Sequence, residues 1–294
     1  MDENRGSRLL CIDNCLIRSV LSGYFRRPNI NHNCYQFEVV RKLGVLVEKE
    51  IVSKDKVMVS VVLPAYNEVE KLEGAVGKVS QALKEDGYSY EIIVAEDGST
   101  DGTAEKAEEI AQKLAYVKHI HRDKRLGRGT ALNNAFKQSS GEVFVYMDLD
   151  LATDLKYLKP LVDAITVEGY DFSTGSRMLP ESKVQRSLRR SISSKTYNFL
   201  VRHMLGSKLR DHQCGFKGFK KEPTLNLLDE VEATHWFWDT EMMVRAYHHG
   251  YKIKEIAVEW NSGRDTKVSL FKDSWNMFRQ IMGLWWKIKV KREN

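Results

Sequence analysis

Apolar residues along this chain gather in short unbroken runs, and between the runs they recur every third or fourth position. Val59-Ser-Val-Val-Leu63, Glu91-Ile-Ile-Val-Ala95 and Val143-Phe-Val-Tyr-Met147 are runs of the length and β-branched, aromatic character that buried strands require. The pattern predicts strands near 57–64, 90–95, 117–121, 143–147 and 171–175, with another near 252–260. Helical spacing predicts helices near 68–86, 103–114, 129–139 and 154–167. Asp101 is placed to cap the second of these, and Asp97-Gly98 and Asp101-Gly102 are turn dipeptides. Strand and helix alternate through the whole stretch, which argues for an α/β fold: a mostly parallel sheet covered by helices on both faces.

The two ends of the chain read differently. In residues 1–55, Leu9, Ile12, Leu16, Val20 and Tyr24 recur at helical spacing, with Arg8, Arg18, Arg26 and Arg27 nearby. Such a helix either lies in a membrane interface or packs on the main domain or a second subunit. At the other end, Leu270, Phe271, Trp275, Phe278, Ile281, Met282, Trp285 and Trp286 form a stripe followed by Lys287, Lys289, Lys291 and Arg292. Tryptophans with terminal lysines suit an interfacial anchor, and a packing helix or a dimer seam is the alternative. The organisation expected is therefore an N-terminal appendage over 1–55, an α/β domain over 56–267 and an amphipathic, basic C-terminal helix over 268–294.

Composition narrows the partners. The net charge of +6 is modest for 294 residues, and the basic residues cluster near the N-terminus, between Lys183 and Arg210, and at the C-terminal end. This clustering suits an anionic substrate or a membrane surface better than duplex nucleic acid, for which no zinc-finger or RNA-recognition pattern speaks. No run reaches the 18 or so apolar residues of a spanning helix, so attachment to lipid is expected to be peripheral. Cys11, Cys15, His32 and Cys34 can be written as a zinc set, but the spacing matches no tight knuckle and free thiols are expected.

The candidate chemistry lies at the strand ends. Three predicted strands finish in acidic residues: Glu68 after the first, Glu96 and Asp97 after the second, and Asp148 and Asp150 after the fourth. In an open α/β sheet that edge is where ligands bind, and several carboxylates around one crevice fit a metal-bound nucleotide. Alternation sends Asp148 and Asp150 to one face with Leu149 turned into the core. Lys124-Arg-Leu-Gly-Arg-Gly129 adds cations and two glycines at a helix start, where backbone N–H groups can approach phosphate.

Pro64-Ala-Tyr-Asn-Glu68, Glu96-Asp-Gly-Ser-Thr-Asp101, Asp148-Leu-Asp150, Gly175-Ser-Arg177, Gln213-Cys-Gly-Phe-Lys217 and Trp238-Asp-Thr-Glu241, in this order, resemble the family 2 inverting glycosyltransferases of GT-A fold. The pattern is most similar to dolichyl-phosphate glucosyltransferases and their polyprenyl-phosphate relatives, and covers about residues 57–267. The resemblance implies that Pro64, Tyr66 and Glu68 line a nucleoside pocket and that Asp97 accepts a hydrogen bond from a uracil-type base. The cations of the 124–129 segment, Lys124 and Arg128, are expected to contact the donor as well. Asp150 is expected to ligate Mg2+ or Mn2+ directly, and Asp148 to contact the ribose or a metal-bound water. Ala152 stands where some polyprenyl-phosphate sugar synthases have a glutamine as an additional metal ligand. Ala152-Thr153 matches the glucosyltransferase branch, which favours UDP-glucose, with N-acetylglucosamine the other sugar considered.

The nature of the acceptor decides what else the site must contain. A sugar hydroxyl needs a general base, for which Asp239 is the candidate. A lipid phosphate is already anionic near neutral pH and needs cations instead. Arg177, Arg186, Arg189 and Arg190 supply these, so the expectation is transfer from a UDP-sugar to dolichyl or polyprenyl phosphate at the cytoplasmic face of a membrane. Asp150, Arg177, Arg189 and Asp239 are the residues expected to carry catalysis, with Asp239 and Glu241 near the sugar. Arg264 and Lys267 are placed to close over the diphosphate. The alternatives are a saccharide or glycolipid hydroxyl acceptor, and a catalytically silent homologue that binds lipid or a partner; a homodimer is compatible with all three.

Overall fold

In this computed structural model the described residues are 58–261 and 270–291. The amphipathic pattern over residues 9–24, the N-terminal cysteines, Arg264 and Lys267 lie outside them. A seven-stranded sheet forms the centre, in the order β3-β2-β1-β4-β7-β5-β8. Its strands are β1 (Val59–Ala65), β2 (Tyr90–Glu96), β3 (Val117–Ile120), β4 (Val143–Met147), β5 (Phe172–Ser176), β7 (Phe216–Lys220) and β8 (Ile253–Ala257). β7 alone runs antiparallel, between β4 and β5. A parallel pair, β6 (Lys183–Gln185) and β9 (Glu259–Asn261), stands apart from this sheet.

Alternation along each strand builds two cores. Val61, Leu63, Ile92, Val94, Val143 and Val145 face α1 (Val69–Glu85), α2 (Thr103–Lys113) and α4 (Leu158–Thr166). Val62, Ile93, Phe144 and Tyr146 face α3 (Arg128–Gln138), α6 (Lys221–Leu228) and α7 (Trp238–His248), with Trp238 fully buried among them. Both faces are covered, so the strands read as continuous apolar runs. The expected helix near 154–167 begins as a short 3-10 turn, Leu155–Tyr157, whose cap Asp154 accepts the Lys156 N–H. The expected strand near 252–260 breaks at the fully buried Val258: β8 joins the main sheet and β9 leaves to pair with β6.

A third apolar cluster joins α5 (Leu188–Leu205), α7 and α8 (Leu270–Trp286) through Val201, Leu205, Phe237, Val244, Ile281 and Leu284. Part of the C-terminal stripe thus packs inward, while Met282, Trp286 and Val290 remain exposed, as do Leu188, Ile192 and Phe199 on α5. No helix among the described residues is long and apolar enough to cross a membrane.

Candidate active site

Parallel pairing brings the carboxyl ends of β1, β2, β4 and β5 to one edge, and the reversed β7 delivers its amino end, with Cys214 and Gly215, to the same place. Beside β1 and β2 the loops are joined to each other. Asn67, in left-handed conformation at φ 52°, donates its N–H to Ser99 Oγ at 3.0 Å, and its side-chain oxygen accepts the Thr100 N–H at 2.9 Å. Thr103 Oγ1 accepts from the Glu68 N–H at 2.9 Å. Asp101 accepts the Thr103 N–H at 3.0 Å, but the helix cap itself is Gly102, so Asp101 acts from one position before the capping place expected of it. Pro64, Tyr66 and Glu68 are half-buried at this end, and the Arg125 guanidinium lies 3.9 Å over the Tyr66 ring.

Asp97, expected to read a base, is 3% exposed, and its two oxygens accept the N–H groups of Leu126 and Gly127, each at 2.8 Å. In this structure it holds the 124–129 loop, and a base would have to share an oxygen already in use. Close approach explains the glycines. A Cβ on Gly98 would stand 2.4 Å from the Arg125 nitrogen, and one on Gly127, at φ 106°, 2.2 Å from the Thr234 carbonyl oxygen. The Gly129 N–H also donates to Thr234 O, at 2.8 Å. The expectation that this helix start offers open N–H groups to phosphate is therefore corrected: those of Leu126, Gly127 and Gly129 are satisfied by protein. Lys124 stands exposed on the loop.

Arg128 does not stand free over a diphosphate either. Its Nη1 donates to Asp148 Oδ1 at 2.8 Å, its Nη2 to Asp239 Oδ2, and its guanidinium lies 4.4 Å over Trp236. Asp239 is 1% exposed, and it also accepts the Tyr146 hydroxyl at 2.8 Å and lies 3.8 Å from the fully buried ammonium of Lys217. Glu241, expected near the sugar, accepts the N–H groups of Glu232 and Ala233 and pairs with Arg245 at 3.0 Å; it orders a turn.

Asp148 and Asp150 line one cleft with Leu151, Thr153, Phe216 and Trp260, and Leu149 is buried as expected. The cleft holds about 10 Å³ of free volume, room for about a single water molecule. Leu151 turns back at φ 46°, and Asp150 stays exposed. A Cβ on Gly215 would sit 1.9 Å from Asp148 Oδ2, so any larger residue there would displace that carboxylate. Surrounding protein pushes the Asp148 carboxyl up to about 6, Asp150 and Asp239 push the same way, and Arg128 and Arg177 oppose them. Its side chain is 41% exposed; the exposed part faces the cleft, while the crowding comes from the protein behind it. Two hard oxygen donors with incompletely balanced charge fit Mg2+ or Mn2+.

Arg177 follows β5 and is clamped by Asp211: its N–H and Nε donate to Oδ2 at 2.9 and 2.7 Å, and Nη2 to Oδ1 at 2.9 Å. Asp211 is fully buried. Desolvation would raise its carboxyl, but the Arg177 charge and hydrogen bonds hold it well below the usual range. Arg186 approaches the same spot, near enough that burial and the Arg177 charge together lower its pKa; among the described residues it has no ion pair. Arg189 is exposed and Arg190 half-buried on the first turn of α5. The site therefore brings Arg177 and Arg186 together and leaves Arg189 and Arg190 on the outer helix. Asp211, Tyr146 and Trp260 were not expected in the site, whereas Lys217 closes the Gln213–Lys217 motif, expected to shape its acceptor side. Nothing in the spacing of the first three marks them, because each arrives from a different element.

The family model described as Glycosyl transferase family 2 matches residues 60–228. The chain is 46% identical over 237 residues to glycosyltransferase AglD of Haloferax volcanii, a match covering 80% of this chain and 38% of that protein, so it spans about two fifths of that relative's length. It is 30% identical over 240 residues to the dolichyl-phosphate beta-glucosyltransferase ALG5D of Trichomonas vaginalis, covering 76% of this chain and 71% of that one. Among solved structures, glucosyl-3-phosphoglycerate synthase from Mycobacterium tuberculosis, in complex with Mn2+, UDP and glucosyl-3-phosphoglycerate, superposes with a TM-score of 0.59 at 19% identity, over 90% of this chain and 85% of that one. The last likeness is one of fold.

Proposed function

The chain belongs to glycosyl transferase family 2, and on that premise we propose that it transfers a sugar, with inversion, from a UDP-sugar to dolichyl or another polyprenyl phosphate at the cytoplasmic face of a membrane. Likeness to dolichyl-phosphate beta-glucosyltransferases supports the acceptor class and favours glucose as the sugar.

One observation carries the acceptor half of the reading. Arg186 has no ion pair among the described residues and lies within electrostatic reach of Arg177, whose own charge is taken up by Asp211 and, farther off, by Asp148. An arginine does not lose its proton, so the unpaired charge of Arg186 is relieved by binding an anion, and a phosphate monoester matches guanidinium geometry. The competing reading requires an open base. Asp239, its candidate, is buried and engaged by Arg128 and Tyr146, which favours an acceptor that arrives already ionised.

Asp148 and Asp150 would hold Mg2+ or Mn2+, which when bound neutralises the diphosphate leaving group. The chain's own residues do the rest. Pro64, Tyr66 and Glu68 bound the nucleoside end of the crevice, and Asp97 fixes the loop from which Lys124 reaches outward. Arg186, backed by the Arg177–Asp211 pair, orients the acceptor phosphate. One of its oxygens forms the new bond to the anomeric carbon from the face opposite the departing UDP, and no proton need be removed. Arg128, bridging Asp148 and Asp239, sets the position of the inner aspartate and stabilises negative charge there.

The test offers radiolabelled UDP-sugars and polyprenyl phosphate in detergent micelles, with Mn2+ or Mg2+, to the purified chain. The expected product is an acid-labile glycosyl lipid. Asp150→Ala, at an exposed position, should cost at least about 10²-fold in turnover without lowering Tm. Arg186→Ala should raise KM for the lipid phosphate by about tenfold, the worth of a charge-assisted hydrogen bond, and leave KM for the donor alone. Transfer to a saccharide hydroxyl in place of the lipid phosphate would overturn the reading.

A further inference from the structure

At the far edge of the sheet, β3 pairs with β2 so that His119 stands opposite Val94 and Ile120 opposite Ala95. Alternation then puts Glu96, His119 and His121 on one face. One ligating atom from each lies within 4.8 Å of the others. The Glu96 side chain is fully buried; burial works to raise its pKa, but hydrogen bonds from Ser99 and the ring of His121 outweigh that and keep it an anion. Its Oε2 is 2.7 Å from His121 Nδ1.

His119 supplies the second, independent observation. Its side chain is 6% exposed, its Nδ1 lies 3.1 Å from Glu108 of α2, and its Nε2 is buried without a hydrogen-bond partner. With Nδ1–H donating to the Glu108 carboxylate, Nε2 is left as a bare lone pair. That tautomer, oriented by an outer carboxylate, is the one in which histidine ligates a metal. A polar atom buried in this state is otherwise unfavourable.

We propose that Glu96, His119 and His121 form a divalent-metal site of the zinc class, separate from the paired aspartates, that fastens the edge strand β3 to β2. Two imidazoles and one carboxylate select zinc, cobalt or nickel over magnesium, whereas Asp148 and Asp150 offer oxygen alone. Tetrahedral bonds near 2 Å place ligand atoms about 3.4 Å apart, so closure on the ion asks each side chain to move by about 1 Å. The fourth position belongs to water; Asp123, 3.4 Å from His121 Nε2, sits on the far side of the ring from Glu96 and would orient that imidazole from outside. A groove of about 480 Å³, lined in part by Glu108, Lys118 and His119, opens on the outer side of the His119–Glu108 pair. The residues after His121 lead into the 124–129 loop, so the ion would also fix where that loop begins.

The experiment uses the full, untagged chain, stripped with chelator and titrated with Co2+. The expected result is the visible spectrum of tetrahedral cobalt, saturating at a single ion per chain, displaced by Zn2+ but not by Mg2+, with a rise in Tm on adding Zn2+. His121→Gln, at a side chain 48% exposed and therefore tolerant of change, should weaken cobalt binding by about tenfold or more. His119→Gln should do the same, and Asp150→Ala should leave the spectrum intact. Absence of the spectrum overturns the proposal. So does a spectrum and Tm response that survive His121→Gln, since the ion would then sit on another set such as the N-terminal cysteines.

Discussion

Beside β1 and β2 the loops are joined by hydrogen bonds between backbone N–H groups and short polar side chains, whereas beside β4, β5 and β7 they are joined by buried charges. Asn67, Asp97, Ser99, Asp101 and Thr103 each accept an N–H from a neighbouring segment, Asp101 from Val69. On the other side Asp148, Arg128, Asp239 and Lys217 form one chain of charge, with Arg177 and Asp211 nearby. On the first side N–H groups hold shape and spread the charge of the carboxylates they reach, Asp97 and Asp101. Buried charges cost desolvation, and in return they leave an electrostatic site that does not have to reorganise when a charged substrate arrives. The first arrangement suits a nucleoside, which must be held; the second suits phosphate and a departing diphosphate, which must be balanced.

Breaking the charged side should cost most. Asp211→Asn leaves the Arg177 guanidinium buried beside a neutral amide, and a loss of about 3–5 kcal/mol in urea unfolding is expected. Acid should act on the same side. His212 is fully buried, its Nδ1–H donating to Asn198 Oδ1 at 2.8 Å and its Nε2 accepting from Ser207 at 2.9 Å, and burial lowers its pKa to about 3 from 6.5. A folded pKa below the unfolded one means stability complete above pH 6.5 and lost as pH falls toward 3, on the order of 3 kcal/mol by pH 4. Asp211, also depressed, adds its loss only below the ordinary aspartate range. Asp148, raised to about 6, pulls the other way in the same window, so His212→Gln should tilt the Tm profile between pH 6.5 and about 4.5 toward greater stability in acid than the unaltered chain shows; an unchanged slope there would refute the assignment.

The hydrogen-bonded side should answer more gently. Gly127→Ala forces a side chain onto a positive φ against Thr234, at a cost of about 1–3 kcal/mol, and should raise KM for the donor through the loop it disorders. Ser99→Ala removes the acceptor of the Asn67 N–H and a hydrogen bond to Glu96, and should cost about 1–2 kcal/mol by thermal denaturation. If Ser99→Ala proved as damaging as Asp211→Asn, the contrast between the two sides would fail.

Most of the left half of the sheet was legible. The strand over 143–147 coincides with β4, and the predicted helices near 68–86, 103–114 and 129–139 differ from α1, α2 and α3 by a residue or two at each end. Strong apolar runs and glycine-bounded turns carry local information. β7 was not foreseen, because Phe216-Lys-Gly-Phe-Lys220 contains a lysine and a glycine where an apolar run would be sought. Lys217 is nevertheless fully buried, its ammonium donating to the Cys214 carbonyl at 2.6 Å and to Thr174 Oγ1 at 3.2 Å.

The chain's own order of residues determined the family, the α/β alternation, the two core faces and the acidic strand ends, since each depends on neighbours a few positions apart or on motifs read in succession. Only the tertiary structure decided the partners of the charges: that Arg128 spans Asp148 and Asp239, 20 and 111 residues away in sequence, and that Arg177 is held by Asp211, 34 residues on. A charged residue on a strand end looks the same in sequence whether water or an opposite charge faces it. The difference arises when the crossover connections bring distant segments to one edge and exclude the solvent between them.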